Sequence, residues 1–76
     1  MELSQRLRLA RESAGFSNAS EFARRIGVQP ITVYRAESGD HTPRLDIAGR
    51  WAAETGVSLD WLVTGEGDAP LSATGS

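Results

Sequence analysis

The side chains with recognition chemistry crowd into residues 29–38. Arg35 carries a planar guanidinium whose donors match the O6 and N7 acceptors of a guanine edge in two parallel hydrogen bonds. The alternatives for it are a solvated position or an ion pair with Glu37 or Asp40. Gln29 has the amide that pairs in the same two-pronged way with adenine, and it also stands where it would cap a helix. Ile31 presents an apolar surface that suits a thymine methyl, or equally a core or a partner chain, while Pro30 beside it offers no donor. At helical spacing Ile31, Tyr34, Arg35 and Ser38 fall on one stripe, and Val33 and Ala36 turn to the opposite side.

A second set of groups suits phosphate. Tyr34 and Thr32 carry hydroxyls on the same predicted helix, with partial burial the alternative for Tyr34. Asn18 and Ser20 begin another helix, where backbone N–H groups favour an anion, although capping alone also accounts for Asn18. Ser38 and Arg44 complete the phosphate candidates. Arg6, Arg8 and Arg11 read as solvated surface of the first helix.

Other chemistries find little support. His41 is the lone histidine, in a loop, with no serine and acid placed beside it and no further metal ligands; no cysteine is present. Gly65 and Gly67 lack the preceding strand of a phosphate loop. Trp51 and Trp61 suit a core better than a ligand cage. The expectation is a protein that is not an enzyme, with no catalytic residue, metal, cofactor or small-molecule ligand.

The positioning elements are helices. Gly15, Gly27, Gly39, Gly56 and Gly65 each follow a stretch of helical apolar spacing, where a left-handed cap wants a residue without Cβ. The predicted first helix covers residues 3–14, with Leu3, Leu7, Ala10 and Ala14 as its apolar stripe. The second starts after Asn18, which pairs with Glu21 in the manner of a capping box, and buries Phe22, Ala23 and Ile26. The third opens at Pro30 and ends near Ser38. The fourth opens at residues 42–44 with Leu45, Ala48, Ala52, Trp51 and Thr55 as its inward candidates. Gly49 in its interior should cost about 1 kcal/mol relative to alanine, and close helix packing is the one reason the sequence suggests. Ser58 caps a short fifth helix carrying Leu59, Trp61, Leu62 and Val63. The fold class expected is all-α, a five-helix domain over residues 1–64, with residues 65–76 a flexible tail or linker.

With 76 residues the chain makes one small domain, and none of its apolar runs approaches the length needed to cross a bilayer. The N-terminus lacks the basic-then-apolar pattern of a secretion signal, so a cytoplasmic location is expected and no membrane partner. The net charge of −2 hides an asymmetry. All eight basic residues are arginines at or before Arg50; with six acids they give residues 1–53 a charge of +2, while residues 54–76 hold four acids and no base, −4. Such a division fits a basic front and an acidic back.

Residues 15–39 join two short helices through Gly27, with the small Ala23 four residues before it and Val28 and Val33 filling the angle. In this arrangement the sequence resembles the lambda-repressor-like (Xre/Cro) helix-turn-helix family, over roughly residues 3–67. The resemblance is carried by Phe-Ala-Arg-Arg-Ile-Gly-Val at 22–28, Ala-Glu-Ser-Gly at 36–39, and Val-Ser-Leu-Asp-Trp-Leu at 57–62. The chain departs from the family's pattern in three ways. Segment 15–27 is one residue longer, Asn18 or Ala19 stands where glutamine is common, and Ser38 and Asp40 replace the usual asparagine and basic residue around Gly39. The resemblance implies that helix 3 enters the major groove of double-stranded DNA, with Gln29, Pro30, Ile31 and Arg35 at base edges. It further implies a phage-type repressor acting as a homodimer on an operator, with Trp61, Leu62 and Val63 the candidate dimer surface or else simply core. The alternative reading is a protein-protein interaction module that uses the same fold without DNA, motivated by the acidic balance and Asp40.

Overall fold

Glycines and capping side chains set the helix ends in the computed structural model, which describes residues 1–67. Five helices run in order, α1 (Leu3–Ser13), α2 (Ala19–Ile26), α3 (Pro30–Ser38), α4 (Leu45–Thr55) and α5 (Leu59–Thr64), and no strand occurs among the described residues. The architecture is all-α, as the periodicity predicts.

Local chemistry explains the boundaries that matter. Asn18 Oδ1 accepts from the Glu21 amide at 3.1 Å and starts α2; no reciprocal bond from the Glu21 side chain completes the box. Gly27 closes α2 at φ +78°, a left-handed conformation costly for any residue with a Cβ, and the Val28 amide then reaches back to the Ala23 carbonyl at 2.9 Å. That leaves residues 27–29 as the whole connection to α3, which begins on the preset φ of Pro30. Ser58 Oγ accepts from the Trp61 amide at 3.0 Å and opens α5.

The core lies where all five helices converge. Leu7 and Ala10 of α1, Phe22, Ala23 and Ile26 of α2, Val33 and Ala36 of α3, Trp51 and Ala52 of α4, and Trp61 and Leu62 of α5 form one buried cluster. Trp51 anchors it: its ring meets Phe22 edge-on at 5.0 Å, and its indole N–H donates to the Leu7 carbonyl at 3.0 Å. Burying an indole without that bond would leave a donor unpaired at a cost of about 1–3 kcal/mol. Among the described residues, no buried side-chain polar atom lacks a partner.

Four expectations from the sequence are corrected. Leu45 is 70% exposed. It lies near the inward stripe of α4 but is the first residue of the helix, and because side chains tilt toward the helix N-terminus it leans off the end of the packed surface; Pro43 is buried nearby. Ala14 is exposed because α1 ends at Ser13 and Ala14 is its cap. Gly49 is not a site of close helix packing, since a Cβ built there meets nothing within 4 Å.

The fourth correction concerns charge. Arg6 and Arg11 are buried, not solvated. Arg6 donates from Nε to the Leu62 carbonyl at 2.9 Å, from one terminal nitrogen to Val63 at 3.0 Å, and from the other to the Met1 carbonyl. Leu62 and Val63 lie in the last turn of α5, whose carbonyls have no partners within the helix, so a cation placed there satisfies them and suits the local dipole. Most of the expected tail, from residue 68 to 76, lies outside the described residues.

Candidate nucleic-acid interface

Helix α3 is fastened to the body along one side. Val33 and Ala36 enter the core, and Glu37, one residue on, meets Arg11 of α1 in a two-pronged pair with N–O distances of 2.7 and 2.9 Å. The two side chains are only 5% and 10% exposed. Arg11 also donates to the Phe16 carbonyl at 2.6 Å, so the connection between α1 and α2 is tied to the same guanidinium. The Glu37 hydrogen bond and charge raise the Arg11 pKa above its ordinary value, against the opposing effect of burial. The pair is therefore always ionised on the arginine side, and it fixes α3 about its own axis.

A second fastener sits on the same flank, one turn nearer the start of the helix. The Ser20 and Tyr34 hydroxyls lie 3.0 Å apart, joining the first turn of α2 to the middle of α3. Tyr34 remains half-exposed despite this bond, and its ring is not part of the core.

Beyond these fasteners, Ile31 and Arg35 of the outward stripe are left free. Ile31 is half-exposed, which removes it from the core. Arg35 is exposed and forms no ion pair with Glu37 or Asp40; Glu37 is engaged by Arg11. Gln29 is the N-cap residue of α3 by backbone position, but its side chain makes no capping bond and stands exposed. Pro30 occupies the first helical position and is partly buried. Ile31 and Arg35 thus share the outward stripe of α3, while Gln29 and Pro30 stand at its N-terminal end.

The phosphate candidates surround that face unevenly. Asn18, Ser20 and Tyr34 gather at the α2 N-terminus, with Asn18 spending its carbonyl oxygen on the cap. Thr32 is partly buried in the first turn of α3. Ser38 turns its hydroxyl back to the Arg35 carbonyl at 3.1 Å. Arg44 is far out in solvent beside Asp46 at 3.5 Å, a contact too exposed to hold it. Of the three residues singled out on α5, Trp61 and Leu62 are buried within this one copy, and only Val63 is exposed, on the same side as the partly exposed Leu59.

The arginine geometry is the feature that sequence reasoning missed. Arg6 and Arg11 find partners 56 and 26 positions away, and no local pattern announces either. His41 is exposed, and no group of three potential metal ligands occurs among the described residues.

The helix-turn-helix family model matches residues 7–62. A segment of 47 residues, 62% of this chain, is 43% identical to an uncharacterized HTH-type transcriptional regulator from Haemophilus influenzae. The matched segment covers 20% of that relative, so the chain spans only a small part of the relative's length. No solved structure matches the chain.

Proposed function

The chain belongs to the helix-turn-helix family, and from that premise we propose that it is a sequence-specific binder of double-stranded DNA and a transcriptional regulator of the phage-repressor type. Helix α3 enters the major groove, with Gln29, Pro30, Ile31 and Arg35 at base edges and Asn18, Ser20, Thr32, Tyr34, Ser38 and Arg44 at phosphates. The observation that carries this reading is the state of Arg35. It is exposed, free of any carboxylate, and on the same stripe as Ile31 and Tyr34, while the neighbouring acid that would quench it is locked to Arg11.

Size favours two copies at work. The Cα trace extends 30 Å in its longest direction, so with its side chains the domain is about as long as one DNA turn of roughly 34–36 Å. One copy therefore covers a half-site, and a homodimer reads an operator of two. Because Trp61 and Leu62 are occupied in the core, the α5 surface left for a second copy is Val63 with Leu59, four residues apart on one face. Its place of action is the cytoplasm, at the DNA it regulates.

The test is selection of bound sequences from random duplexes, followed by titration of the best duplex at two salt concentrations. We expect salt-sensitive binding and a symmetric selected site. Replacing Arg35 by alanine should remove about 1–3 kcal/mol of discrimination, about five- to 150-fold, at one position of each half-site. Absence of salt-sensitive binding to every duplex would overturn the proposal in favour of a protein-docking module on the same fold.

A further inference from the structure

Counting what each arginine does separates two from the rest. Arg6 is spent on backbone carbonyls, Arg11 on Glu37, and Arg25 on Glu54 at 2.9 Å. Arg8 lies 3.6 Å from Glu12, Arg44 lies 3.5 Å from Asp46, and Arg50 reaches the Ile26 carbonyl at 3.4 Å. Among the described residues, the arginines whose side chains have neither a hydrogen bond nor an ion pair are Arg35 and Arg24. The first belongs to the reading stripe of α3. The second stands in the last turn of α2 and has been given no role.

The position of Arg24 on its helix can be worked out from its neighbours. Residues four apart on a helix share a face, so Arg24 lies one turn beyond Ser20. The Ser20 hydroxyl bonds the Tyr34 hydroxyl, which marks that edge of α2 as the one bordering the exposed stripe of α3. Arg25, one residue on, turns away instead: its guanidinium pairs with Glu54 of α4 and lies 5.7 Å from the centre of the Phe16 ring. Because residues 27–29 alone separate the helices, the last turn of α2 is also the part of it nearest the start of α3, where Gln29 and Ile31 are exposed. A cation in the last turn suits the helix dipole, but that explanation applies to Arg25 as well. It does not account for an unpaired guanidinium on this particular side.

From this placement we infer that Arg24 is a backbone-phosphate contact of the same interface, gripping the strand that borders the groove beside Gln29 and Ile31. The inference rests on the duplex binding proposed above. A long, flexible cation at this edge adds one neutralised phosphate and carries no sequence preference of its own. It also helps resolve the acidic net charge: the arginines left unpaired by folding gather toward one face, so the surface offered to DNA is more basic than the composition indicates.

The experiment is a salt titration of duplex binding by fluorescence anisotropy with the full chain, using a selected duplex and an unrelated one. The proteins compared are the wild type, Arg24→Ala, Arg24→Lys and Arg35→Ala. Arg24→Ala should weaken binding to both duplexes by the same factor, about three- to tenfold near 0.1 M salt, and lower the slope of log K against log salt by about 0.9. Arg24→Lys should keep the wild-type slope. The exposed position predicts unchanged thermal unfolding for both variants. If Arg24→Ala binds with the wild-type affinity and slope while Arg35→Ala loses discrimination, Arg24 is not a contact and α3 still reads DNA. If the wild type binds no duplex in a salt-sensitive way, the α3 reading fails and the Arg24 contact falls with it.

Discussion

Removing the Glu37 carboxylate should be the most damaging single change to an acidic side chain among those placed here. In Glu37→Ala the Arg11 guanidinium, 5% exposed, loses both of its short bonds to carboxylate oxygens and keeps only the Phe16 carbonyl and a distant Glu12 at 4.0 Å. Breaking a buried pair by deleting one partner costs about 3–5 kcal/mol, because the surviving charge stays buried. The remaining carbonyl contact and the partial exposure of Glu37 favour the lower end, about 3 kcal/mol. A chain of 76 residues has roughly 4–11 kcal/mol in total at 0.05–0.15 kcal/mol per residue, so about a quarter of its stability or more is at stake. Urea unfolding followed by tryptophan emission measures it. With a slope near 1 kcal/mol per molar, the midpoint should fall by about 3 M. Two companions sharpen the result: Glu37→Gln, which keeps an acceptor, should lose less. The pair Arg11→Met with Glu37→Leu should be more stable than either single charge deletion, since no buried ion is left unpaired. The sign with pH follows from the raised Arg11 pKa: the stabilisation it reports is complete below the ordinary arginine value and lost only above the raised one, so Arg11 contributes no pH dependence near neutrality. A Glu37→Ala midpoint within about 0.5 M of wild type, or a double variant whose loss equals the sum of the two singles, would refute the reasoning.

Two further outcomes can be checked with the same assay. Gly49→Ala should stabilise the domain by about 1 kcal/mol, raising the melting midpoint by about 4–8 °C, because the added Cβ meets no neighbour within 4 Å and the helix interior prefers alanine; destabilisation would mean a contact at α4 that the structure does not contain. Arg6→Met should cost about 2–3 kcal/mol by leaving the Leu62 and Val63 carbonyls without their charged donor, with a red shift of the tryptophan emission as α5 loosens around Trp61; an unshifted spectrum with unchanged stability would show that α5 is held by its apolar face alone.

How much of this was legible in the chain depended on the range of the interaction. Asn18, Gly27, Pro30 and Ser58 act within a few residues of themselves, and the ends of α2, α3 and α5 fall where those residues predict. The division of α3 into an inner Val33–Ala36 side and an outer Ile31–Arg35 side follows from periodicity and is what the structure displays. Arg6 and Arg11 were illegible because a charged residue on a helix looks the same whether its partner is water or a carbonyl 56 positions away. Leu45 failed for a different reason: periodicity gives the direction of a side chain but not where the neighbouring helices stop. Gln29 was ambiguous between capping and recognition, and only the backbone of α3 decides that its amide is left unused by the cap.

The Arg6 clamp has a mechanical meaning as well. One side chain grips the carbonyl of Met1 and those of Leu62 and Val63, so the first residue of the chain and the end of α5 are stapled at a single point. Separating those two places would first have to break these three hydrogen bonds, all made by one guanidinium.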